Sequence, residues 1–241
     1  MTLVSYDHGF IFLKTRKTAG TSVEMFLQPF CTPPGHPVEE WGEAIVTRHG
    51  IVGQRLGVKG RRVPPPDPDL RDTWFSHQAA ARVKKQLPWH VWLRYEKISV
   101  VRNPFRKVLS GYFWQHRNKP RPDDIGTEIA RFRRFARERR FNNDRGVVFI
   151  KDRFVPNTLI RAEHLQDDLE ALARRLRLDT SRTRLPVTKS SGDHPRRVPL
   201  EDWYDGPSRD AVREELAWMF EKGGYRDDPA RTMPDNMGVP A

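Results

Sequence analysis

The stretch Phe10–Leu27, FIFLKTRKTAGTSVEMFL, sets apolar, cationic and hydroxyl residues in an order suited to holding a phosphate ester. Four apolar residues lead into a turn of Lys, Thr and Gly, and an amphipathic run follows. That order predicts a buried strand, a P-loop-like anion cradle and a helix whose first-turn N–H groups and dipole favour bound negative charge. Gly20 lets the backbone come close to a ligand. Thr18, Thr21 and Ser22 supply hydroxyl donors, with Ala19 and Gly20 as the small residues between them, while Lys14, Arg16 and Lys17 supply positive charge. The spacing is not the GxxxxGK[ST] of a nucleoside-triphosphate loop. Hydroxyl residues are also ordinary helix caps, so an ordinary βα turn is the rival reading of the segment taken alone.

A second motif, ISVVRNPFRKVLSGYF, runs from Ile98 to Phe113. Arg102 stands where an apolar strand breaks at Asn103-Pro104, and Ser110 lies about two helical turns further on. A planar guanidinium can grip a phosphate through paired hydrogen bonds, with the serine hydroxyl completing the site. Alone, these residues read equally as a phosphate clamp or as a surface Arg beside a capping turn. Two anion sites, each at a strand-to-helix junction, imply a ligand with two separate phosphate groups.

The elements that must position both motifs are legible in outline. After a first helix, Val23 to about Gln28, a Pro- and Gly-rich stretch predicts a loop excursion over about 29–72. A loop that long reads as a lid or an acceptor-binding wall. Thr73–Leu87 reads as a helix stopped by Pro88, Ile98–Val101 as a buried parallel strand, and Phe105–Phe113 as a helix. Thr127–Arg140 is a basic amphipathic helix with Ile129, Phe132, Phe135 and Ala136 on its core face. Val147–Ile150 and Val155–Ile160 read as strands. Leu165–Leu176 and Ser208–Lys222 read as helices, the latter stopped by Gly223-Gly224. The alternation predicts an α/β fold, a single domain over 1–226 with a central parallel sheet flanked by helices. Ligands then sit beyond the carboxyl ends of the strands. Residues 227–241 read as a flexible tail.

Composition narrows the partners. Lys and Arg number 43 against 31 Asp and Glu, a net charge of +12, so the partners are expected to be anions. Hydrophobic residues at 37% exclude a disordered chain. The single cysteine, Cys31, rules out an internal disulfide framework and suits a reducing compartment. The apolar run Phe10–Leu13 is too short for a signal peptide or a membrane span, so the chain reads as cytoplasmic. No carboxylate or His/Cys cluster has metal-ligand spacing, so no metal is expected.

The paired motifs resemble those of the sulfotransferases that use 3′-phosphoadenosine 5′-phosphosulfate (PAPS), specifically the bacterial and carbohydrate-type branch. KTRKTAGTS is similar to that family's loop for the 5′-phosphosulfate, and VVRNPFRKVLSGY to its segment for the 3′-phosphate. SHQAA, LPWHVW and YEKISVVRNP extend the resemblance, and LIRAEHLQDDL and FEKGGY continue it more weakly. The resemblance implies an α/β sulfotransferase moving a sulfuryl group from PAPS to a hydroxyl or amine of a small-molecule or carbohydrate acceptor, leaving adenosine 3′,5′-bisphosphate (PAP). It implies that Lys17 stabilises the leaving phosphate and that Arg16 to Ser22 hold the 5′ end. Arg102 and Ser110 would hold the 3′-phosphate. Lys189, Ser190 and Ser191 form a basic hydroxyl loop that reads either as closing over the nucleotide's 3′ end or as an exposed flexible loop. His77, in WFSHQAA, stands where the family has its catalytic histidine, with His49 in reserve; Glu163 reads as structural. One departure is local: Arg106 and Lys107 stand where the family has an acidic residue and then Arg.

Two rivals follow from the same sequence. An ATP-dependent phosphotransferase would share a phosphate loop, though no apolar strand ends in a metal-binding Asp. A basic nucleic-acid-binding protein would use the arginines of 131–140, which the Phe132/Phe135 stripe instead marks as a solvated face.

Overall fold

The computed structural model describes residues 1–40, 42–54, 73–183 and 198–234. The described residues form two compact units, one taking those within Met1–Val100, Asp144–Ile160 and His164–Val187, the other those within Val101–Asn143, Arg161–Glu163 and Thr188–Ala241.

In chain order the elements are β1 (Leu3–Ser5), β2 (Phe10–Leu13), α1 (Gly20–Leu27), β3 (Ile45–Val46), β4 (Gly50–Val52), α2 (Ala80–Gln86), α3 (Trp89–Arg94), β5 (Glu96–Val101), α4 (Pro104–Gln115) and α5 (Ile125–Arg137). They continue with α6 (Arg145–Val148), β6 (Phe149–Ile150), β7 (Arg153–Phe154), β8 (Thr158–Arg161), α7 (Leu165–Arg175), α8 (Gly206–Glu215) and α9 (Ala217–Gly223).

The first unit is α/β, built on a six-stranded sheet in the order β3-β4-β1-β2-β5-β8. β2 and β5 pair in parallel, Phe10 beside Glu96 and Leu13 beside Ser99. Both are continuous apolar or buried runs because the sheet is covered on both faces. Phe10, Phe12, Ile98 and Val100 join Val23 and Phe26 of α1 and Leu169 and Leu172 of α7 in one core.

The expectation of a parallel sheet needs amending. β1 runs antiparallel to both β2 and β4, and β3 runs antiparallel to β4, so the sheet is mixed. β3 and β4 come from the Pro-rich excursion, which therefore supplies an edge of the sheet as well as loop. Gly50 is what admits β4: a Cβ there would lie 2.1 Å from the Val4 carbonyl oxygen and 2.9 Å from that of Cys31. Gly50→Ala is expected to cost about 3 kcal/mol by forcing this ladder apart. The urea midpoint measures that loss.

Further along the chain, local competition shifted several boundaries. The helix expected from Thr73 begins at Ala80, because Phe75 bridges Gln54 and Thr2 bonds its carbonyl first. Val147–Val148 belong to the short helix α6 and Phe149–Ile150 to a hairpin with β7, where continuous strand was expected. The last helix is broken at Leu216 into α8 and α9. The capping box formed by Asp205 and Ser208 starts the first of these.

The second unit is helical, with an aromatic core. Phe132 of α5 meets Trp203 at 5.6 Å and Tyr204 at 4.9 Å, both edge-to-face. The Tyr204 hydroxyl donates to the Phe105 carbonyl at 2.7 Å. The expected inward stripe of α5 holds for Phe132, Phe135 and Ala136, which are buried, and in part for Ile129, which is half-buried, while Arg131, Arg134 and Arg137 are exposed. Arg133 donates to the carbonyls of Asp202 and Trp203, and Arg139 pairs with Glu214 and Glu215. Gly224, in the left-handed region at φ 68°, caps α9. Residues 226–234 are held by bonds from Arg106 to Thr232 and from Arg213 to Asp227. No helix among the described residues is long and apolar enough to cross a membrane.

Candidate functional site

In the first unit the chain leaves β2 at Leu13, turns through residues 14–19 and enters α1 at Gly20. Left-handed backbone at Lys17 (φ 63°) and Ala19 (φ 63°) makes the turn. Non-glycine residues adopt that region at a cost of roughly 1–2 kcal/mol each, so the surrounding bonds must hold it. Thr15 donates its hydroxyl to the Val100 carbonyl, and Thr18 is wholly buried with its hydroxyl 2.8 Å from that of Thr15. Lys14, also buried, pairs with Glu24 of α1 and donates to the Thr21 hydroxyl at 3.1 Å. That bond leaves the Thr21 proton to be donated elsewhere. The first turn of α1 has neither a side-chain cap nor an acidic residue. Its backbone donors and dipole therefore favour an anion without competition from a carboxylate.

The loop's outer side is fixed by a residue that sequence reasoning missed. Asp144 accepts from the Arg16 backbone N–H at 2.9 Å and from its guanidinium at 2.8 Å, and its own side chain is fully buried. At φ 55° Asp144 is itself left-handed. A separation of 128 residues hides this partnership from any local pattern. Arg16 thus combines a positioning bond with whatever charge it offers a ligand.

His77 joins the same loop. Its Nδ1 lies 2.9 Å from the Lys14 carbonyl, which can only accept. The proton therefore sits on Nδ1, and Nε2 carries the lone pair. His77 is left-handed too, at φ 58°. Burial, then the Arg16 and Lys14 charges, lower its pKa to about 3, so the ring is neutral across the physiological range.

His49 is placed otherwise. Its Nδ1 meets Asp7 at 2.6 Å and its Nε2 accepts from Arg48 at 3.2 Å, so both ring nitrogens are engaged. It precedes Gly50, which pairs with Ser5 at the end of the sheet opposite Leu13. The register separates His49 from the loop by the length of β2.

In the second unit Arg102 follows the end of β5, and Asn103 caps α4 through the Arg106 N–H at 3.1 Å. Glu163 ties this junction together, accepting from the Asn103 N–H at 3.0 Å and from the Tyr225 hydroxyl at 2.5 Å. Desolvation lowers the Arg102 pKa, with Arg106 acting in the same sense, while Glu163 and Tyr225 oppose them. The group remains a cation. The Asn103 Nδ2 donor is buried with no hydrogen-bond partner, a costly state that an anionic ligand would relieve. Ser110 sits on α4, buried. Lys107 donates to the Asn142 carbonyl at 2.8 Å, so the cation standing where the resemblance expects a different residue is satisfied by backbone. Tyr225 is brought close by Gly223, where a Cβ would lie 2.5 Å from the tyrosine ring. Tyr225 and Asn103 were absent from the sequence reading of the site; the FEKGGY and RNP steps were their only signal. Lys189 lies outside the described residues.

Among the described residues no group of three or more His, Cys, Asp or Glu could hold a metal ion. No protein-family model, curated protein or solved structure matches the chain.

Proposed function

We propose that this protein is a sulfotransferase moving a sulfuryl group from PAPS to a hydroxyl or amine of an acceptor. The observation that carries the reading is the loop of residues 14–22, with its cations, its uncapped helix N-terminus and the neutral His77 bonded to the Lys14 carbonyl. PAPS supplies an electrophilic sulfuryl group on a phosphate leaving group. In this reading Thr21, Ser22 and the α1 backbone donors hold the 5′-phosphosulfate. Lys17 stabilises the charge that develops on the leaving phosphate oxygen as its bond to sulfur breaks. Arg102, Asn103 and Ser110 hold the 3′-phosphate, with Glu163 fixing the Asn103 backbone. His77 Nε2 takes the proton released by the acceptor as the new sulfur bond forms. As in phosphoryl transfer, the protein contributes positioning and charge stabilisation.

Thermal unfolding with nucleotides tests the proposal. PAP should raise the melting temperature by ligand linkage, and Mg-ATP at the same concentration should raise it far less. The reverse order would favour the phosphotransferase. Mass spectrometry of a metabolite pool incubated with PAPS then seeks the sulfate adduct; tight, steeply salt-dependent binding to random oligonucleotides with no adduct would favour the nucleic-acid reading.

A further inference from the structure

Trp89 and Leu93 are the most exposed large apolar side chains among the described residues, at 72% and 64%. They lie four residues apart on α3 and therefore on one helix face. The helix is not frayed: Val91 and Trp92 on its other side are buried, and Lys97 sits over the Trp92 ring at 5.6 Å. Along the chain the flanking charge has one sign, while Glu96 follows α3 and Asp7 lies near Tyr95 at its end. No Asp or Glu occurs from Thr73 to Tyr95, while Lys84, Lys85, His90 and Arg94 are all exposed there.

From this juxtaposition we propose that α3 and the end of α2 dock the protein on an anionic lipid surface. Trp89 and Leu93 enter the headgroup region, and Lys84, Lys85 and Arg94 face the lipid phosphates. An exposed Trp beside Leu, on a segment whose own exposed charges are cationic, is the chemistry that partitions into such an interface. A protein partner fits less well. Stable interfaces bury about 800 Å² on each side, more than two side chains of a six-residue helix offer. A bilayer needs no matching pocket, and each basic residue adds attraction that salt screens. The placement also suits a working enzyme. α3 leads into β5 at Glu96, beside Phe10, so the patch adjoins the amino ends of the parallel strands, while the loop of residues 14–19 leaves β2 at its carboxyl end.

Co-sedimentation of the full chain with phosphatidylcholine vesicles containing about one-third phosphatidylglycerol tests this, with pure phosphatidylcholine as control. Binding is expected only to the anionic vesicles and is expected to vanish in high salt. The double variant Trp89→Ala, Leu93→Ala and, separately, Lys84→Glu with Lys85→Glu should each weaken partitioning about tenfold or more. Both should keep the wild-type melting temperature and its PAP-induced shift, because none of these residues belongs to the nucleotide site. Absence of vesicle binding, or binding indifferent to both variants, would overturn the proposal. So would a wild-type dimer in sedimentation equilibrium that Trp89→Ala, Leu93→Ala dissolves, since the patch would then face a second copy of this chain.

Discussion

Lys17→Ala is expected to lower turnover with PAPS about 10²–10³-fold, the usual loss when one preorganised donor to a developing oxyanion is removed. The affinity for PAP should change much less. Lys17 already occupies left-handed backbone, which Ala adopts at a similar cost, as Ala19 does two residues on. The loop's shape should therefore survive, because Thr15, Thr18 and Asp144 hold it through bonds that do not involve the Lys17 side chain. Single-turnover rates and PAP titrations separate the two quantities. An interaction made only in the transition state lowers kcat and leaves binding alone. If rate and PAP affinity fell together by the same factor, Lys17 would be an ordinary phosphate ligand and the leaving-group role would be lost. Lys14 invites confusion with Lys17 in the sequence, yet it is buried against Glu24 and serves as the floor of the loop.

What the sequence revealed, and what it hid, divides along the range of the interactions. β2, α1, β5 and α4 were legible because each depends on neighbours three or four residues away: apolar runs, a Pro at a first helical turn, a glycine after a turn. The edge strand β3 and its neighbour β4 were not. They are two and three residues long inside Pro-rich sequence, and they exist because Gly50 can lie against Val4 and Cys31. Tertiary pairing overrode weak local preference there. The same split governs the site. Lys17, Thr21, Arg102 and Ser110 stand in contiguous motifs. Asp144, Glu163 and Tyr225 act on those motifs through bonds spanning 60 to 128 residues, which one sequence does not encode locally. The choice between His77 and His49 likewise needed register: only the strand pairing shows that His49 lies at the far end of β2 and that Arg48 already engages its Nε2.

His77→Gln is expected to reduce kcat for a hydroxyl acceptor about 10²–10⁴-fold, the range for loss of a positioned general base, with PAP affinity nearly intact. Gln can keep the donor bond to the Lys14 carbonyl through its amide, so the fold is preserved while the base is removed. The pH behaviour gives an independent signature. Because burial, Arg16 and Lys14 bring the His77 pKa to about 3, the acid limb of kcat/KM, which reports the free enzyme, should show no break near 6.5. Bound phosphates offset the Arg16 and Lys14 charges, so the acid limb of kcat should break at a higher pH than that of kcat/KM. Stability follows the same linkage. The folded pKa lies below the ordinary 6.5, so between those values the unfolded chain binds the additional proton. The His77 contribution is therefore complete above pH 6.5 and is lost as pH falls toward about 3. Urea midpoints from neutral to acid pH should fall less steeply in His77→Gln than in the wild type. A variant with full activity on hydroxyl acceptors and an unchanged pH slope would remove His77 as the base.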